Sequence, residues 1–305
     1  MLFRSRSKGL KRSSIKSYWM AISKLFNKFK KLKLIKLDNP MQEVELPKDG
    51  KMTRDRVPSI DEVSAILTAL DNSAVKSHRV SPTSAIVRFA LFTGARIGEI
   101  LHAEWGDFDI SSGYWCIKNK PVCPGIEGIG WYPKWRKERA VKLFPEALAV
   151  LDELPRVKST GVVKDDFGNE MEISANFVFA KKTVKIEKDC RMKRKKGYFN
   201  CARCSEHSDI YKCSSRQINF SRCDSIKKAW GTIKEKAGIE DLYLHDLRRF
   251  FNRVILQEKL GFSPEESGRY IGNTEEVNRD HYSPISIDVF ERKINKNNFS
   301  ELIGG

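Results

Sequence analysis

Residues 59–103 set down three helix signals in succession, and the third opens on an arginine just past a glycine. Ser59-Ile60-Asp61-Glu62 is a capping box, in which the Ser and Glu side chains satisfy the first free backbone N–H groups of a helix. Val63, Ile66, Leu67 and Leu70 then recur on one face. Residues 82–92 are rich in apolar side chains, which predicts a buried helix. Gly94 is the expected stop. A third helix begins near Arg96 and runs to about Ala103. Short apolar helices linked this tightly must pack against one another and against something else.

The remaining pattern supplies that surface. Tyr114–Ile117 and Arg139–Leu143 read as strands, separated by a glycine- and proline-bearing stretch at 119–133. Pro145 opens a helix to about Leu154, and helical signals return at 224–237, 245–259, 263–271 and 286–296. Residues 156–223 break the pattern and read as a basic, cysteine-rich insertion that is partly loop. Upstream, Ile15, Tyr18, Trp19, Ile22, Phe26 and Phe29 give 13–33 the period of one amphipathic helix. The expected fold is α+β and mainly helical, with a small β-sheet. The expected layout is a partial helical DNA-binding segment at 1–45, a linker at 46–57 and a catalytic domain at 58–305 with its tail at 283–305.

Charge narrows the class of partner. Residues 1–37 hold twelve Lys or Arg and no acid, and 181–222 hold thirteen against four acids, so the formal net charge of +17 is carried by two blocks. Localised positive charge points to a polyanion, usually nucleic acid; two solvated basic faces are the plain alternative. No run is long and apolar enough for a membrane span, so no membrane partner is expected. The N-terminal stretch superficially fits a transit peptide, but it reads better as a DNA-facing helix. Seven cysteines, an odd number without a secretory signal, read as reduced thiols in a cytoplasmic protein. Cys201-x-x-Cys204-x-x-His207, followed by Cys213, has short spacings of the kind zinc uses, although it matches no common finger. Unliganded cysteines in a basic loop are the competing reading.

Phosphodiester chemistry proceeds either through metal ions held by carboxylates or through a protein nucleophile with cations on the phosphate. The residues here suit the second route. His245 and Arg248 are three apart on an expected helix and share a face. Arg96 stands at a helix start with Glu99 one turn on to orient it. The arginine fork matches two phosphate oxygens at once. Each element alone is commonplace.

In order, the elements resemble the tyrosine recombinase (phage integrase) family over roughly 57–290. Thr93-Gly94-Ala95-Arg96-Ile97-Gly98-Glu99 matches its first arginine box, continued by Trp105-Gly106-Asp107-Phe108-Asp109. His245-Asp246-Leu247-Arg248 matches the second box. Ile271-Gly272-Asn273 stands in the place of the family's Leu-Gly-His, and Tyr282 follows Asn273 by the nine-residue gap to the nucleophile. The family's hairpin lysine corresponds to Lys134, with Lys137 as the alternative.

The resemblance implies that Tyr282 attacks a phosphodiester to form a 3′-phosphotyrosine bond, that Arg96 and Arg248 neutralise the phosphate, that Lys134 protonates the leaving oxygen and that His245 assists proton transfer. No cofactor or metal is required on this reading. Double-stranded DNA is the implied partner, with a homotetramer assembled through the C-terminal tail. Two departures stand out. Asn273 replaces the usual His or Trp; it still donates a hydrogen bond but is shorter and uncharged. Residues 1–37 supply only the last part of the family's usual N-terminal DNA-gripping domain, and such a chain is expected to bind DNA weakly and with strong salt dependence. A type IB topoisomerase-like enzyme and a decayed integrase that only binds DNA are the alternative functions.

Overall fold

In the computed structural model the described residues are 12–45, 56–75, 82–121, 129–164, 170–186, 193–195, 198–201, 204–207, 216–272, 294 and 298–303. The chain divides into two compact units, Met1–Asp55 and Arg56–Gly305.

In the first unit, α1 (Arg12–Lys31) is the expected amphipathic helix. The stretch around Asn39 folds back on it. Asn39 donates from Nδ2 to Ser23 O at 3.2 Å and to Asn27 Oδ1 at 3.0 Å, and its Oδ1 accepts from the Met41 amide at 3.0 Å. Asn39 thereby caps a 3₁₀ turn, Pro40–Gln42. Pro40 there marks the turn's start.

The second unit begins with α2 (Ile60–Val75), and its capping box forms as the sequence requires: Ser59 N donates to Glu62 Oε2 and Glu62 N to Ser59 Oγ. Next come α3 (Pro82–Thr93) and α4 (Ile97–Leu101). Strands β1 (Phe108–Asp109), β2 (Tyr114–Ile117) and β3 (Arg139–Lys142) form an antiparallel sheet. The fold continues with α5 (Pro145–Asp152) and, after the second sheet region, α6 (Lys227–Lys236), α7 (Leu244–Phe250), α8 (Pro264–Ile271) and α9 (Phe299–Leu302). Beyond α7 the chain continues as a π-helix, Phe251–Lys259, which the apolar period does not distinguish from an α-helix.

The main difference from expectation lies in 156–223. Where it is described, this stretch is rich in strands. β4 (Ser159–Lys164), β5 (Glu170–Ala175), β6 (Ala180–Ile186) and β10 (Arg216–Arg222) form a sheet in the order β5-β4-β10-β6. β7 (Lys193–Lys195), β8 (Tyr198–Cys201) and β9 (Cys204–His207) form a separate meander. Nor is the whole stretch peripheral. Phe177, Val178 and Phe179 are buried, and Phe179 meets Phe89 of α3 with ring centroids 5.2 Å apart.

The meander register passes from Phe199↔His207 to Cys201↔Cys204 across a β-bulge. Cys190 and Cys213 lie outside the described residues.

The tail is described in part. Ile294 and Phe299 are buried in the core of their own unit, and Phe299 packs on Phe92, Phe144 and Phe251. Residues 286–293 lie outside the described set.

Candidate functional site

Gly94 ends α3 with φ of +60°, a conformation that costs any residue with a Cβ. A Cβ there would also lie 2.5 Å from Phe251 Cδ1, so the turn packs flush on the π-helix. The turn delivers Arg96 to the N-cap of α4. One helical turn on, Glu99 is buried; its Oε2 accepts from the Arg96 amide at 2.9 Å and its Oε1 from Arg96 Nη1 at 3.0 Å. Glu99 orients Arg96, as the sequence implies.

The spacing of His245-Asp246-Leu247-Arg248 also has a physical basis. Asp246 caps α7 by accepting from the Tyr243 amide at 2.9 Å, and it pairs with Arg249 at 2.6 Å. Leu247 is fully buried in the core. Arg248, only 3% exposed, donates from Nη1 to Gly94 O at 2.8 Å and from Nη2 to Ile271 O at 2.7 Å. Arg96 Nη2 reaches the next carbonyl, Gly272 O, at 2.6 Å. The two arginines thus hold consecutive carbonyls at the C-terminal end of α8, where such donors are favoured. Gly272 caps that helix in the left-handed conformation, so the cap falls on Gly272 itself.

Sequence reasoning missed Arg139, which it placed only at the start of a strand. Its guanidinium instead binds both Glu99 oxygens, at 3.0 and 2.7 Å. Its Nε is buried and has no hydrogen-bond partner among the described residues. Glu99 therefore serves two arginines, and its pKa is held below the usual range: burial works to raise it, but the hydrogen bonds and charges of Arg139 and Arg96, with the Arg248 charge behind them, prevail.

Three guanidiniums surround one carboxylate, so the cluster has excess positive charge. Arg248 registers this most strongly. Burial, and then the Arg96 and Arg139 charges, lower its pKa to about 9, with Glu99 opposing. His245 is at the surface of the site, yet partial burial and the charges of Arg248, Arg249 and Arg96 hold its pKa below 6.5, against the opposing pull of Asp246. Burial and the surrounding arginine charges therefore disfavour the charged imidazole.

Four groups thus converge: Arg96, His245, Arg248 and, unforeseen, Arg139. Lys134 opens an exposed 3₁₀ turn, Lys134–Arg136, between β2 and β3, and its amine lies 5.6 Å from the Trp135 ring centroid. Lys137, the alternative, is exposed at the same hairpin. Asn273 and Tyr282 lie outside the described residues. Among those described, no group of three or more His, Cys, Asp and Glu is arranged to hold a metal ion, and no helix is long and apolar enough to cross a membrane.

The fold is that of a tyrosine-recombinase catalytic domain. The chain belongs to the phage integrase family, whose model matches residues 59–262. Solved structures of other integrases share its fold. A lambda integrase dimer bound to a COC′ core site is 16% identical, with a TM-score of 0.52, covering 93% of this chain and 80% of that one. A Tn1549 transposon integrase in complex with a circular intermediate DNA is 15% identical, with a TM-score of 0.55, covering 97% and 83%. No match was found among curated protein sequences.

Proposed function

We propose that this chain is a site-specific DNA recombinase that cuts and rejoins double-stranded DNA through a 3′-phosphotyrosine intermediate. The observation carrying this reading is the surplus of buried guanidinium charge around Glu99, an environment that suits a phosphate and the further negative charge its transition state develops. Arg96 and Arg248 bind the non-bridging oxygens. Tyr282 attacks phosphorus, the 5′-oxygen leaves, and Lys134 protonates it. His245, whose charged form is disfavoured by burial and by the neighbouring arginines, takes the phenol proton. Asn273 donates a hydrogen bond to the phosphate. Two integrases that share the fold are described in DNA complexes, which supports duplex DNA as substrate. The protein acts in the cytoplasm, and the working assembly on DNA is a homotetramer.

A nicked suicide duplex tests the chemistry. The expected result is a covalent protein–DNA adduct with the wild-type chain and none with Tyr282→Phe. Adduct formation persists below pH 6.5 and falls only at lower pH, as the depressed His245 pKa requires, and His245→Gln removes that acid limb. Absence of an adduct with the wild-type chain at every pH and salt concentration would sink the proposal in favour of a DNA-binding module. Supercoil relaxation by a monomer would favour the topoisomerase.

A further inference from the structure

Arg139 begins β3, paired opposite Ile117 of β2, and its guanidinium meets both oxygens of Glu99 in the bidentate geometry by which arginine fixes a carboxylate most firmly. Arg96 supplies the other two donors, from Nη1 and from its backbone amide. The carboxylate that orients Arg96 is thus fully coordinated by two arginines. The division of charge follows from this. A buried Arg96–Glu99 pair alone would be neutral, with Arg96 spent on its own orienting group. With Arg139 taking up the Glu99 charge, Arg96 keeps its direction and the cluster stays positive.

We infer that Arg139 is a positioning residue of the phosphodiester site: it neutralises Glu99 so that Arg96 is held in place without being neutralised, and does so without touching the phosphate. This rests on the reading of the site given above. The same side chain reaches a second part of the site. A Cβ on Gly272 would lie 2.7 Å from Arg139 Cζ and Nη1 and 2.8 Å from its Nε, so the guanidinium packs directly on the backbone of the residue before Asn273. In sequence Arg139 also follows Lys134 by five positions on the same hairpin arm. One residue therefore links the orienter of Arg96, the base of the lysine hairpin and the turn that leads to Asn273. Lysine cannot replace it, since a point charge lacks the planar fork that spans both oxygens.

The test compares Arg139→Met, Arg139→Lys, Glu99→Gln and the double variant Glu99→Gln/Arg139→Met with the wild-type chain. Two readouts are taken: the rate of adduct formation on the suicide duplex at saturating protein, and the rise in melting temperature produced by inorganic phosphate at constant ionic strength. Arg139→Met is expected to slow adduct formation by roughly 10- to 100-fold, the usual cost of losing an outer-shell partner, and to lose the phosphate-induced rise. Arg139→Lys falls between it and wild type. The double variant recovers most of both losses, because removing the Glu99 charge makes its neutralisation unnecessary. A merely structural arginine predicts the reverse, with the double variant no better than the single. Wild-type behaviour of Arg139→Met, or no recovery in the double variant, overturns the inference. If the wild-type chain forms no adduct, the reading of the site fails, and the phosphate response alone decides the role of Arg139. Should Arg139→Met fail to fold, the lysine and double variants carry the comparison.

Discussion

Arg248 donates through Nη1 to the carbonyl oxygen of Gly94 at 2.8 Å, although the two residues stand 154 positions apart in the chain. The bond joins the turn that presents Arg96 to the helix that presents Arg248. Neither arginine can move far without the other. This is the arrangement expected of a site that must be preorganised around a small anion.

The turn itself is testable. Gly94→Ala places a Cβ at positive φ and 2.5 Å from a Phe251 ring atom, so both backbone strain and overlap oppose it. The expected loss is about 2–4 kcal/mol of unfolding free energy, read as a lower urea midpoint, with adduct formation falling as Arg96 is displaced. Gly98→Ala is the control: it lies within α4 with nothing near its Cβ position, and should be neutral or stabilising by up to about 1 kcal/mol. Equal effects from the two substitutions would contradict the packing described here.

The cysteine hairpin carries a separate proposal. The short spacing of Cys201, Cys204 and His207, with Cys213 following, is the basis for proposing zinc binding there. Elemental analysis of protein purified without chelator should give about one zinc per chain, lost in Cys201→Ser/Cys204→Ser. A zinc-free wild-type protein that folds normally rules the site out.

Much of this was legible in the sequence where the chemistry is local. The Ser59–Glu62 box and the Arg96–Glu99 pair join residues three apart, so helical spacing alone exposes them. Arg139 was not legible, because its carboxylate lies 40 residues away on a helix and only the tertiary fold brings the two together. The strands of 156–223 were missed for a related reason. β10 pairs along its whole length with β6, but it also pairs with β4 at Ser221↔Thr160, some sixty positions away, and no local period records such a match. The short apolar run Phe177-Val178-Phe179 was the available signal that this stretch returns to the core. The capping Asp246 and the core-filling Leu247 belong to the second arginine box for reasons of folding, not chemistry, and so the motif was readable before its parts could be explained.

Phe299 tests the tail. It is fully buried, and its ring lies 4.8 Å from that of Phe92 and 5.9 Å from that of Phe144, while the Ser300 amide donates to Glu146 Oε1 at 3.0 Å. Phe299→Ala should cost the DNA-free protein about 3 kcal/mol, with the same loss at low and high protein concentration. A loss that appears only at high concentration would mean that the ring is seated in a partner subunit.

His102 predicts how the catalytic unit responds to acid. Its Nδ1 donates to Gly98 O at 2.7 Å, and its Nε2 accepts from Arg222 Nη1 at 2.6 Å, a pattern that only the neutral ring can make. The ring is also stacked on Trp131 at 5.1 Å. Burial first, then the nearby Arg222 and Lys120 charges, lower its pKa to about 4, against the opposing pull of the Gly98 carbonyl and Asp224. Unfolded, the same ring titrates near 6.5. Between those two values the unfolded chain holds the extra proton, so stability from this residue is complete above pH 6.5 and drains away as pH falls toward 4. The contribution is roughly 3 kcal/mol. Urea unfolding measured from pH 7 to 4.5 should show the decline in the wild-type protein. His102→Gln keeps an acceptor for Arg222 but cannot titrate, so it should be less stable at pH 7 and less sensitive to acid. Identical pH slopes for the two proteins would show that His102 is not a neutral buried acceptor.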